Sequence, residues 1–569
     1  MSTIALSVTS FSKIKFEKTY LASCHVKYIN SSNPDPSLEL SNQSTTPTTI
    51  FKTIREWITI PTTRKNSEYP LTLNGISNLL FSSLEEKILD TITAEEIVKQ
   101  INGQEVMMYA YNGVVPGVAL RVQQSSTIKV NFVNRLKEET TIHWHGLRHD
   151  VKNDGVPGIS QEPVKPGKNF EYTLYFPDSG IYWYHPHVRE DRQQDLGLAG
   201  NMLVIPTSPD YFNSVDLEEL VVLDDILIED GVMVPFGKEY ANFALMGRFG
   251  NTMLLNGQTD YSLEVAQGEI IRFYLTNVAN VRPFNLSFDG AKMKLVGGDL
   301  GKFEEEEFVD SIIIAPAERY IVEVFFSEKR EYNIENRNPS GVTSLGKIKV
   351  NGLTKTQHFK QFLNLKENIK IKEDIEKFRP LFDKPVDYQI DLTVDMGGIM
   401  NVMAALPCHS MGGLVMGNCT VEERAQFEGE AEHDESTIEW EDGMVDMSKQ
   451  FTTNDLTWIL RDPITGKENM DLGMEAEVGD IMKIRFFNDP KSMHPMQHPL
   501  HLHGQRFLVT EIDGMPSKNL VWKDTVLVPI GSTVDVLVDV TNFGEWMMHC
   551  HIAEHLEAGM MTSLIVTEA

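Results

Sequence analysis

From about residue 90 to the C-terminus the chain is built of short runs in which apolar and polar residues alternate, and most runs end at Gly, Pro, Asn or Asp. A period of two with turn residues between the runs predicts antiparallel strands, each with one buried face. Three of these runs read as copies. Val130, Phe132 and Asn134 close the first, Phe273, Leu275 and Asn277 the second, and Ile484, Phe486 and Asn488 the third; each closing Asn stands nine residues after Ser125, Gly268 or Gly479. A second spacing agrees, because Gly167, Gly180, His185 and His187 fall at the same intervals as Gly531, Gly544, His549 and His551. Internal repetition predicts repeated domains. The chain therefore reads as three β-sandwiches at 81–207, 208–352 and 385–569, the first and third being siblings, with a linker at 353–384. Residues 1–80 are rich in Ser, Thr and Asn, show no sustained period, and read as a loosely ordered extension. A strand pattern from Lys87 to Val98 follows it and is placed to pair with the first sandwich.

Histidines then turn the fold reading into a chemical one. The His-x-His spacing occurs at His143/His145, His185/His187, His501/His503 and His549/His551. On a strand both histidines of a pair face one side and the residue between them faces the other. Eight imidazoles exceed the needs of one ion, since a structural zinc takes four ligands and a catalytic zinc three plus water. In the last pair the middle residue is Cys550, with His555 and Met560 downstream and His498 upstream. One thiolate, two imidazoles and a weak thioether suit an ion cycling between Cu(I) and Cu(II), as in a blue-copper centre. The tripeptide His549-Cys550-His551 thus serves two metal sites at once. The middle sandwich lacks this vocabulary: Phe284-Asn285-Leu286 stands where the first has His143/His145, and the later pair falls near Glu335 and Arg337. Two pairs come from each outer domain, so the cluster is expected between them, with the middle domain as a spacer.

These four motifs, in this order and over roughly 105–569, resemble the multicopper oxidases: laccases, ascorbate oxidases and cuprous oxidases. The resemblance implies an all-β fold of three cupredoxin-like Greek-key β-sandwich domains and four coppers per chain. It implies His498, Cys550, His555 and axial Met560 at type 1 copper, and His143 and His501 at type 2. It assigns His145, His185, His187, His503, His549 and His551 to the type 3 pair. Electrons from a small-molecule or metal-ion reductant would pass from type 1 copper through Cys550 to the cluster, on the order of 10 Å away, and reduce dioxygen to water. Asp154, in Asn153-Asp154-Gly155-Val156-Pro157, stands where relatives carry an acid near type 2 copper, although Asp-Gly is also a turn former. The chain departs from many relatives in the residue directly after the last type 1 histidine and the residue three after the cysteine. Those positions, often carboxylates that feed protons, are Leu556 and Ala553 here, with Glu554 and Glu557 differently placed. The family is extracytoplasmic, yet Met1–Tyr20 lacks the continuous apolar core of a signal peptide.

Composition narrows the partners. A net charge of −30 argues against nucleic acid and anionic membrane and favours cationic or neutral substrates. No apolar run approaches the ~20 residues of a spanning helix. Beyond Cys550, the remaining cysteines Cys24, Cys408 and Cys419 make no disulfide framework, and whether Cys408 and Cys419 pair stays open. An insertion at 397–446 opens with Met400, Met403, Cys408, His409, Met411 and Met416 and continues as an acidic stretch. With Met493, His494 and Met496 just before His498, it suggests a soft metal ion such as Cu(I) as the substrate. Phenols and aryl amines, as in laccases, are the alternative, and methionines also serve as plain gap fillers. A copper-storage protein would not need the preorganised type 1 set, and a two-copper reductase of the nitrite type has no use for four His-x-His pairs.

Overall fold

The computed structural model describes residues 5–16, 19–29, 91–353, 358–397, 408–411, 414–416, 419–420 and 437–569. Two compact units are present, Met1–Phe81 and Ser82–Ala569. In the first, Ala5–Phe16 and Thr19–Ile29 form an antiparallel ladder. Regular pairing thus occurs where the sequence suggests a loosely ordered extension; both stretches contain Val, Ile and Thr, with Phe in the first and Tyr in the second, a composition that favours strands even without strict alternation.

The second unit holds three pairs of sheets. Strands between Thr91 and Ile205 make two four-stranded sheets; those between Leu217 and Leu353, and those between Tyr388 and Thr567, each make a six- and a five-stranded sheet. Each pair encloses its own apolar core. The repeat seen in sequence is also topological, because each of these six sheets contains one parallel contact amid antiparallel ones. Thr91–Ile101 lies parallel to Thr127–Asn134, Leu217–Ile226 to Ile270–Asn277, and Tyr388–Asp395 to Ile481–Asn488. The linker is not extended: Phe359–Leu363 and Ile369–Glu376 are short helices, and Ile375 is buried in the first domain's core.

The closing asparagines explain their own recurrence. Asn134 Nδ2 donates to the carbonyls of Glu138 (2.8 Å) and Val164 (2.7 Å), and Asn277 Nδ2 to those of Arg282 and Ile314 (both 2.8 Å). Asn488 Nδ2 does the same with Met496 (2.7 Å) and Val528 (3.0 Å). A buried amide with all its bonds made fixes the loop that leaves each strand. In the outer domains that loop runs directly into a histidine-bearing strand.

Cys408 and Cys419 are joined by a disulfide, with the two short strands His409–Met411 and Leu414–Met416 between them. Met400 and Met403 lie outside the described residues. Among the described residues no helix is long and apolar enough to cross a membrane.

Candidate metal centre

Strand pairing delivers the histidines. His143–His145 runs antiparallel to Gly180–His185 with His143 opposite His185, and His498–Leu502 runs antiparallel to Gly544–Cys550 with His501 opposite His549. The two domains thus present equivalent edges, and they face each other. The His145 ring stacks on His501 at 3.6 Å and His143 lies 4.0 Å from His503. Within each of the sets His143/His145/His185, His143/His501/His503 and His187/His503/His549, ring nitrogens lie within 4.8 Å of one another. All eight histidines are buried.

One nitrogen of most rings is tied to an oxygen. Nδ1 of His185, His501 and His549 lies 2.9 Å from the carbonyls of Pro186, Asp524 and Cys550, and Nδ1 of His143 lies 2.8 Å from that of Asp154. The other nitrogen is left bare: Nε2 of His143, His185, His187 and His501, Nδ1 of His145 and both nitrogens of His551 are buried without a partner. An unpaired buried polar atom costs ~1–3 kcal/mol, so this many converging on one place calls for a ligand. Metal-binding imidazoles show this division of labour, with one nitrogen on the ion and the other fixed by an oxygen. Burial holds His145, His185, His503, His549 and His551 well below the ordinary histidine range, which keeps them neutral and able to bind a cation.

Three carboxylates face these rings, and of them the sequence singles out only Asp154. Its Oδ2 is 2.8 Å from His503 Nδ1 and its Oδ1 is 3.3 Å from His143 Nδ1. Burial alone would raise this carboxyl, but His503 and His143 outweigh it and hold it well below the usual range. The turn role is real as well: Gly155 has φ +84°, and a Cβ there would sit 1.9 Å from the Ile142 carbonyl oxygen. Glu190 Oε1 lies 2.9 Å from His187 Nδ1, three residues away. Asp524 accepts from His145 Nε2 at 3.0 Å, which accounts for the inverted orientation of that ring. The Arg319 guanidinium from the middle domain grips both oxygens of Asp524, with Nη1 at 2.6 Å, and donates Nε–H to the Ile181 carbonyl of the first domain at 3.0 Å. The middle domain is therefore more than a spacer. The available signal was charge inside apolar strand patterns, at Glu318-Arg319-Tyr320 and at Trp522-Lys523-Asp524.

The second group lies on the other face of the same strand. Cys550 Sγ is 3.5 Å from His498 Nδ1 and 3.7 Å from His555 Nδ1, and the two nitrogens are 3.3 Å apart. A point equidistant from the three lies about 2.0 Å from each, within the usual range of metal–nitrogen bonds. Burial lowers His498 to about 3 and pushes the Cys550 thiol up. Met560 is fully buried, and its carbonyl accepts from Cys550 N–H at 3.1 Å. Trp458 covers His555, with ring centroids 4.0 Å apart.

Other singled-out residues fall as follows. Met496 is fully buried in the third domain's core and does not stand at an open mouth. Asn488 draws its carbonyl inward, and that overrides the simple extension from His498. Met411 and Met416 lie on the short strands of the disulfide-closed segment. Leu556 packs with Val156 and Met547, Glu557 is exposed, and the buried Glu554 bonds Asn280 of the middle domain.

The chemistry of eight convergent imidazoles beside a Cys-His-His triangle is that of copper. Family profiles described as multicopper oxidase match residues 93–209, 233–358 and 444–569. The chain is 26% identical over 471 residues to the multicopper oxidase mco of Staphylococcus aureus, covering 80% of this chain and 83% of that one. It is 24% identical to copper resistance protein A of Escherichia coli, covering 84% and 92%. Among solved structures, a Campylobacter jejuni multicopper oxidase described as a metallo-oxidase superposes with a TM-score of 0.62 at 23% identity, covering 84% of this chain and 91% of that one. With matching profiles on all three sandwiches and two copper-type donor sets joined by one tripeptide, the chain belongs to the multicopper oxidases.

Proposed function

We propose that this oxidase binds four coppers and couples one-electron oxidation of a metal ion, Cu(I), to the reduction of dioxygen. His498, Cys550 and His555, with Met560, would hold the type 1 ion, His143 and His501 type 2, and His145, His185, His187, His503, His549 and His551 the type 3 pair. With copper bound, the first set would support one-electron oxidation of substrate and the second four-electron reduction of dioxygen to two waters. The observation that carries this reading is the strand ending at Cys550: its thiol joins one donor set while His549 joins the other. Asp154, Glu190 and Asp524 orient their histidine rings through the nitrogens that face away from the cluster.

Substrate choice rests on the cover over the type 1 set. His498 and His555 are 1% and 0% exposed, which leaves no imidazole edge for a bulky phenol to meet. Ala244, Leu245, Met246 and Phe249 of the middle domain pack into the same core as Cys550. Beside them His494 Nε2 lies 3.0 Å from Met246 Sδ, and burial lowers that histidine to about 4, so an imidazole and a thioether, both suited to Cu(I), meet next to the electron-accepting site. Names among the relatives, copper resistance protein A and metallo-oxidase, agree with a metal-ion substrate. The Cys408–Cys419 disulfide suits an oxidising compartment and supports a location outside the cytoplasm.

Oxygen uptake measured side by side with Cu(I), Fe(II), Mn(II) and a phenol tests the reading, together with a variant carrying leucine at Met400, Met403, Met411 and Met416. Cu(I) oxidation should fall in the variant while phenol oxidation holds or rises. Equal loss on both, or on neither, discards the cuprous assignment and leaves a laccase-like oxidase of phenols and aryl amines. A fully metallated preparation with only one or two coppers would overturn the four-copper oxidase itself.

A further inference from the structure

In the outer domains the loop after the closing asparagine leads to a ligand strand, from Asn134 to His143 and from Asn488 to His498. The middle domain keeps the loop, Asn277 to Phe284, but has no histidine in it. It carries Asn280, which is 2% exposed. The loop is firmly held: Asn277 Oδ1 accepts from Ala279 N–H at 3.0 Å, Asn277 Nδ2 donates to the Arg282 carbonyl at 2.8 Å, and Gln194 of the first domain donates to the Val278 carbonyl at 3.1 Å. From this support Asn280 reaches the third domain. Its Oδ1 accepts the Ala553 N–H at 2.9 Å, and its Nδ2 lies 2.9 Å from each carboxyl oxygen of Glu554.

Ala553 and Glu554 open the five-residue helix Ala553–Glu557, which contains His555 and stands between Cys550 and Met560. Ile552, at the cap position of that helix, offers no side-chain hydrogen bond, so the first turn would keep a free N–H without help from elsewhere. Asn280 gives that help from another domain. The middle domain holds the far side of the ring too, since His555 Nε2 lies 3.3 Å from the Leu245 carbonyl. We propose that Asn280 is a positioning residue for the type 1 ligand His555, through which the middle domain sets the geometry of the type 1 centre. The proposal rests on the reading of His498, Cys550 and His555 as that centre. Ligand constellations need placement within ~0.5 Å, and a helix anchored at its first turn is one way to meet that tolerance.

The test uses the copper-loaded full chain, as wild type, Asn280→Ala and Asn280→Asp. The blue absorption band, the type 1 and type 2 electron paramagnetic resonance signals, the type 1 potential and the copper content are measured. Wild type must first show the blue band and lose it in Cys550→Ser; absence of the band would end the type 1 reading itself, separately from this proposal. Given the band, the expected result is full copper and an unchanged type 2 signal in both variants, with altered type 1 hyperfine splitting. The type 1 redox equilibrium should move threefold or more, about 28 mV for one electron. Asn280→Asp keeps the volume and the acceptor for Ala553 N–H but sets a second carboxyl against Glu554 in place of the Nδ2 donor, so it should shift the type 1 site as well. If the alanine variant does not fold, the aspartate variant alone decides. Wild-type type 1 spectra and potential in every variant that folds would overturn the proposal.

Discussion

Cys550 sits where the two donor sets meet, and its side chain belongs to only one of them. Its Sγ faces His498 and His555, while the flanking His549 joins His187 and His503. Replacing the thiol by a hydroxyl, in Cys550→Ser, should therefore abolish the blue band and leave the eight-histidine set loaded, a result that copper counting and absorption spectra would check. Loss of all copper would mean that the sets do not fold independently. Asp154 poses a different question, because it is both half of an Asp-Gly turn that admits only glycine next and a carboxylate in contact with His503 and His143. Asp154→Asn keeps the shape and the backbone carbonyl that binds His143, and removes the charge. Dioxygen reduction should slow by ~10²–10⁴-fold, as for loss of a placed proton-transfer group, while reduction of the type 1 site by substrate stays fast. Wild-type turnover with normal copper content would reduce Asp154 to its turn.

At the scale of strands and helices, period-two alternation was enough to read the ladders and to sort histidines from cysteine. Strand geometry leaves only two faces, so the His-x-His spacing carried the site with it. The closing asparagines were visible as a repeat, though their role as loop locks needed the structure. Hidden from the sequence were contacts between elements far apart in the chain: Asp524 is 379 residues from His145 and 205 from Arg319. Met496 is buried for a related reason, since Asn488 holds its carbonyl and the strand begins only at His498. Arg319 yields a sharp expectation. It is fully buried, bonds Asp524 with both terminal nitrogens and stands 3.5 Å from Asp299. Arg319→Met leaves Asp524 without its main counter-charge, and breaking a buried pair from one side costs ~3–5 kcal/mol. Thermal unfolding should fall accordingly, and His145, no longer held by a fixed Asp524, should lose copper from the cluster before the blue site loses its own. Arg319→Lys, with the charge but not the fork, should lie between. Normal type 2 and type 3 signals in a destabilised Arg319→Met would show the pair to be a bolt between domains and nothing more.

For the whole molecule the two donor sets differ in what they join. His498, Cys550, His555 and Met560 all come from the third sandwich, so an ion there closes a loop within one domain. The eight-histidine set takes four rings from the first sandwich and four from the third, and the His145–His501 and His143–His503 contacts cross the seam between them. Copper at that seam would bind only the docked arrangement, and a ligand held by the native state alone stabilises it by ~4 kcal/mol when present at a thousand times its dissociation constant. Metal removal also leaves the bare buried nitrogens of His143, His145, His185, His187, His501 and His551 without any partner at the seam. Chelation should therefore lower the unfolding temperature of wild type strongly and should split the transition, the first and third sandwiches parting before their cores melt. Calorimetry of loaded and metal-free protein checks this against two variants. Cys550→Ser, missing only the third-domain ion, should keep most of the copper-dependent increment. His143→Ala with His503→Ala, which removes one ring from each side of the seam, should lose most of it while its blue band persists. Equal increments in the two variants would mean that copper stabilises the sandwiches one by one and that protein contacts such as Arg319 with Asp524 alone hold the ends of the chain together.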